Sequence, residues 1–137
     1  MESRVALARE KHKSGYSCSQ AVACTYCDLV GISEETMFRV SEGFSVGMGG
    51  MKGVCGAVAA ACMIAGAKNS TCQMGGPGSK AATNKYTKEI VQRFIDESGT
   101  VICCELKGIG TGTPVKPCPQ CVKDAARILE EVVFSQE

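Results

Sequence analysis

The chain has no tryptophan, a single histidine and four prolines, and aromatic residues fill only 5% of its 137 positions. One histidine, His12, rules out a histidine-rich metal site and leaves no Cys/His catalytic pair that spacing would propose. On its charged stretch His12 is expected to be a satisfied surface residue. An excess of charge of one sign is also missing, since 15 basic side chains stand against 14 acidic ones for a net charge of +1. Phosphate backbones require a strongly basic footprint, so no nucleic-acid partner is expected. The longest uncharged stretch, Gly53 to Ala67, is 15 residues rich in Gly and Ala, too short to cross a bilayer. Met1-Glu2-Ser3-Arg4 leads into alternating charge without an apolar export core, so a cytoplasmic protein is expected. Alternating β-branched runs are absent as well, which argues against strands.

Helical periodicity runs through nearly all of the sequence, and 45% hydrophobic with 21% charged residues suits one packed core. The expected fold is all-α: one domain over 1–137, a compact bundle of five to six helices. The first segment runs from about Glu2 to Lys13, and a second from its N-cap Ser17 to before Gly31. A third begins at Ser33 and ends near Glu42. Six glycines then fall between Gly43 and Gly56, a Gly-rich loop before the segment Val54 to Ala67, which must be the buried central helix. Further segments cover about Lys80 to Ser98, a short helix with Cys103 and Cys104, and a last helix from Cys118 to about Phe134. At about 100° per residue, Cys18, Ala21, Val22, Thr25 and Leu29 share a core-facing stripe. Cys24 and Cys27 fall well off it and are expected to be surface thiols. The Gly- and Ala-rich helix would also suit a homodimer contact.

Ten cysteines are the outstanding feature. In a reducing compartment they point to metal, cluster or catalytic thiol chemistry more than to cross-links. Cys18, Cys55, Cys104 and Cys121 each lie within about one turn of an expected helix start, where unpaired N–H groups and the macrodipole favour a thiolate. With Cys18 and Cys121 on apolar stripes and Cys55 opening the buried helix, an inward cluster is expected, of redox-active thiols or metal ligands. The bland alternative is four small buried hydrophobes. Two C-x-x-C spacings occur, Cys24–Cys27 and Cys118–Cys121. Asp28 and Val122 follow them, which excludes haem c attachment, and the about ninety residues between them exclude a zinc ribbon. Cys118–Cys121 is the better redox pair because a helix begins there, which makes Cys118 the candidate partner of Cys121. The run Gly47 to Gly53 lacks the ending and the preceding strand of a phosphate loop. Gly53 and Gly56, beside Cys55, are instead candidates to pack on the sulfurs or on a cofactor held there.

The segments Tyr16-Ser17-Cys18-Ser19-Gln20-Ala21-Val22, Val54-Cys55-Gly56-Ala57, Cys104-Glu105-Leu106-Lys107-Gly108 and Cys121-Val122-Lys123-Asp124-Ala125-Ala126 resemble a redox-active family labelled C_GCAxxG_C_C. The resemblance covers nearly the whole chain and puts the four characteristic cysteines at Cys18, Cys55, Cys104 and Cys121. It departs at Ala60, where the pattern has glycine, and the added methyl is expected to loosen a close helix contact. Six cysteines lie outside the pattern; Cys62, seven residues after Cys55, is expected on the same helix face. The resemblance implies redox activity and names no substrate. Three chemistries stay open. One is an iron-sulfur cluster, of the [2Fe-2S] kind, passing electrons to a redox partner protein. Another is dithiol/disulfide cycling among these thiols. The third is a non-redox helical interaction module built on a structural four-cysteine zinc site.

Overall fold

The computed structural model describes residues 1–135, and there the chain is all-α. Its helices are α1 (Val5–Lys13), α2 (Cys18–Tyr26), α3 (Glu34–Ser41), α4 (Gly56–Asn69), α5 (Lys80–Ser98), α6 (Cys103–Lys107) and α7 (Cys118–Leu129). Short 3-10 turns at Cys27–Val30 and Glu42–Phe44 and π-type turns at Gly47–Met51 and Glu130–Phe134 extend them. The seven match the seven segments read from the sequence, the short helix with Cys103 and Cys104 included, one more than the five to six assigned to the bundle.

Helices without charge become centres. α2 carries no charged residue, and α4 none before Lys68; they pack on each other, and α1, α3, α5 and α7 cover them. Ala57, Ala60, Ala61 and Ala65 are buried along α4, where small side chains let the neighbouring backbones close in, while Ile64, Val58 and Val22 fill the space between. Each large apolar side chain buried here contributes about 1.5–3 kcal/mol. Ala60, where the family pattern has glycine, is fully enclosed.

α2 starts where Ser17 accepts the Gln20 N–H and Gln20 in turn accepts the Ser17 N–H, a reciprocal cap. Gln20 donates its side-chain amide to the Phe38 carbonyl at 3.0 Å, and Ser19 donates to the Ser41 carbonyl at 2.8 Å, which fixes α3 against α2. At the far end the Arg4 N–H donates to Glu130 at 2.7 Å, and the Tyr26 hydroxyl donates to the same carboxylate. This contact holds Arg4 outside the helix, so α1 begins at Val5 and not near Glu2.

The single-stripe reading of α2 needs correction. Cys24 and Cys27 are buried, not surface thiols, because α2 is covered on nearly every side. Leu29 is 40% exposed, since the 3-10 turn from Cys27 breaks the 100° register. No described helix is long and apolar enough to cross a membrane.

Candidate functional site

Four helix starts and two backbone clasps converge at one pole of the bundle. The Cys55 N–H donates to the Val101 carbonyl at 2.8 Å, and the Cys103 N–H to the Gly53 carbonyl at 2.9 Å. These bonds flank the antiparallel bridge of Val54 with Ile102 and bring the starts of α4 and α6 side by side. Pro117 and Pro119 set the start of α7, whose first helical residue is Cys118, and α2 begins with Cys18. Between them lies a cavity of about 220 Å³ lined by Cys18, Cys55, Cys103, Cys118, Cys121 and Lys107, with His12 and Gly56 also on its wall. Cys55 and Cys121 are only 5% and 3% exposed and sit deep in it.

Close approach explains two of the loop glycines. A Cβ on Gly56 would come within 2.7 Å of the Cys18 Sγ and of the Phe44 carbonyl oxygen. One on Gly47 would stand 2.5 Å from the Cys103 Cβ. Gly53 acts through its carbonyl, seating Cys103, and does not line the cavity. The loop is strained: Val46, Met48 and Met51 have φ of 54°, 64° and 63°, a region that costs non-glycine residues about 1–3 kcal/mol each. Its left-handed turn sets the Val46 N–H toward the Cys18 sulfur.

The thiols differ in acidity. Cys55 is lowered to about 7, chiefly because the Cys121 thiol donates toward its sulfur. Burial opposes this, while the Ala57 and Val58 N–H groups at the start of α4 and the Lys107 ammonium favour the thiolate. Cys121 is raised for the complementary reason: it is the donor in that pair, and it is buried. Burial also raises Cys18 and Cys103, against the Val46 N–H in the first case and Lys107 in the second. Burial works against the Lys107 ammonium, but the sulfurs of Cys118 and Cys103 raise it, so it stays charged.

Of the residues expected from sequence, Cys18, Cys55, Cys118 and Cys121 line the cavity and Cys104 does not. The neighbouring Cys103 takes that place, because it starts α6 and its N–H is held by Gly53. Cys62 is also away from the cluster, in a groove between α4 and α5 with Met63, Gly66 and Thr83. Cys55 precedes α4 with an extended backbone, so seven residues do not carry its direction to Cys62. His12 is no satisfied surface residue: its Nδ1 is buried without a hydrogen-bond partner among the described residues, and burial lowers its pKa.

Sequence reasoning missed Cys103, Lys107 and His12. A charge four residues after Cys103 marks one face of α6 and could have linked the first two. For His12 no local signal exists.

Among the described residues, no three His, Cys, Asp or Glu side chains stand together in a geometry that would hold a metal ion. A four-cysteine site for a single ion such as zinc therefore does not fit this arrangement. All ten cysteines are free thiols.

A helical bundle that gathers five thiols and one ammonium around one cavity is by class a cysteine-based redox protein. Residues 16–132 match the family model described as "Putative redox-active protein (C_GCAxxG_C_C)", and the chain belongs to that family. No curated protein and no solved structure matched the chain.

Proposed function

We propose that the protein is a dithiol/disulfide exchange protein in which Cys55 is the attacking thiol and Cys121 the resolving one. The observation that carries this reading is that Cys55, before the first turn of α4, and Cys121, in the first turn of α7, line one cavity, where Cys121 favours the Cys55 thiolate and also reaches the Lys116 carbonyl at 3.9 Å. A thiolate near ambient pH attacks fastest, because it is both ionised and still nucleophilic.

The Cys55 thiolate attacks one sulfur of an incoming disulfide. The substrate S–S bond breaks, a mixed disulfide forms on Cys55, and the outer half leaves as a thiolate that takes a proton from water. Cys121 then loses its proton to solvent and attacks the Cys55 sulfur, releasing the second half as a thiol. Two protein thiols become one disulfide, and two electrons reduce the substrate disulfide to two thiols. Cellular thiols reverse the cycle, which suits the reducing cytoplasm. Cys18, Cys103 and Cys118 flank the pair, with Cys118 the nearest alternative partner for Cys121 in the C-x-x-C sequence.

Anaerobically reduced protein, titrated with oxidised and reduced dithiothreitol, alkylated and digested, should yield a reversible Cys55–Cys121 disulfide. The Cys121→Ala variant should accumulate a mixed disulfide on Cys55. Stoichiometric iron and labile sulfide in the anaerobic protein, or a failure of Cys55 and Cys121 to link at any poise, would overturn the proposal.

A further inference from the structure

We infer that the thiol cavity takes small disulfides bearing a negative charge near the S–S bond, with Lys107 as the group that selects them. The inference rests on the dithiol reading above and adds the substrate class.

Size comes first. At about 220 Å³ the cavity lies below the roughly 300–1,000 Å³ that holds a drug-sized ligand. Cys55 sits 5% exposed behind its wall, so the attacked sulfur must arrive on a slender arm. A disulfide on a folded protein surface cannot reach that depth without unfolding around it, whereas one half of a small disulfide can enter. Displacement is collinear, so the leaving half stays toward the mouth.

Charge comes second. No acidic side chain lines the cavity. The nearby Lys116 is already satisfied by Asp124 and Ser98, with its ammonium 5.0 Å from the centre of the Phe94 ring. Lys107 is on the wall and has no carboxylate partner among the described residues. Its ammonium faces the sulfurs of Cys118 and Cys103, the positions beside which an entering arm must lie. His12 adds a polar group to the wall, its buried Nδ1 without a hydrogen-bond partner among the described residues. A carboxylate on the entering arm meets a cation that has no carboxylate partner among the described residues, and an ammonium on the same arm meets a like charge.

The test uses the reduced full chain and three probes of similar reach: dithiodiglycolate, hydroxyethyl disulfide and cystamine, which are anionic, neutral and cationic. Rates of mixed-disulfide formation on Cys55 are read by mass spectrometry and divided by the rates with free N-acetylcysteine. Dithiodiglycolate should exceed cystamine by about tenfold, an advantage that molar salt removes. Lys107→Met should abolish the ratio, and Lys107→Arg should keep it. Because the readout is a ratio at one pH, a changed Cys55 acidity cancels. Equal normalised rates, or an advantage that survives in Lys107→Met, would overturn the selection by Lys107 and leave exchange itself standing. Lack of reaction at Cys55 with all three probes would overturn the dithiol reading and this inference with it.

Discussion

Cys24 and Cys27 close α2, whereas Cys118 and Cys121 open α7, and the two pairs share one spacing. In the first pair the Cys24 thiol donates to the Glu34 carbonyl at 3.8 Å and the Cys27 thiol to the Cys24 carbonyl at 3.6 Å. Carbonyl acceptors and the negative end of a helix both favour the protonated form. Burial, Cys27 and Glu34 raise Cys24 to about 11. In the second pair Cys118 faces the Lys107 ammonium, while Cys121, itself buried and 3.9 Å from the Lys116 carbonyl, stands beside Cys55, and both line the cavity. Spacing alone therefore says little about redox use; the helix end that carries the pair decides it.

The contrast is strongest in reactivity. At neutral pH the surroundings of Cys55 favour its thiolate, whereas those of Cys24 hold it protonated. Iodoacetamide labelling with peptide mass spectrometry should show Cys55 reacting at least about tenfold faster than Cys24. Its rate should rise with pH and pass half-maximum near 7, because the thiolate is the reacting form. Comparable labelling of the two sites would erase the distinction.

Next comes the space around the sulfurs. Gly56→Ala should cost roughly 1–3 kcal/mol in chemical denaturation, since its methyl meets Cys18 and a carbonyl at 2.7 Å. Gly66→Ala in the same helix has only the Thr83 methyl at 3.8 Å and should be neutral or stabilising by up to about 1 kcal/mol. Equal effects at both sites would mean that the loop does not press on the thiol pole.

Cys121→Ala removes the donor that favours the Cys55 thiolate, so the Cys55 pKa should rise. Labelling of Cys55 at pH 7 should slow by about tenfold, as loss of one hydrogen bond to a charged group predicts. The smallest change is at the other pair. Cys24→Ala should cost about 1 kcal/mol or less and leave Cys55 labelling as it was. A slowed Cys55 in that variant would join two regions that the fold keeps apart.

Much of the architecture was legible because it follows from charge and periodicity. The uncharged run after Gly53 could only be buried, and Ser17, Ser33 and Gly99 mark helix ends that the structure places within a residue or two. The helix-start rule also found Cys18, Cys55 and Cys121, and the C-x-x-C spacing added Cys118. It could not separate Cys103 from Cys104, because five residues hold too little of the period and a backbone bond to Gly53 settles the choice. The burial of Cys24 and Cys27 was hidden by assuming one apolar stripe, although nine residues without charge, Cys18 to Tyr26, already indicate a helix covered all round. His12 reaches the cavity through the packing of α1, and nothing near it in sequence foretells that.

The clasp of Gly53 and Cys55 with Val101 and Cys103 has a consequence for biosynthesis. A ribosome-bound fragment that stops before α6 holds Cys55 without Lys107 and without Cys121, two of the groups that favour its thiolate. Whatever acidity Cys55 gains is therefore acquired late in synthesis, once segments far along the chain have docked beside it.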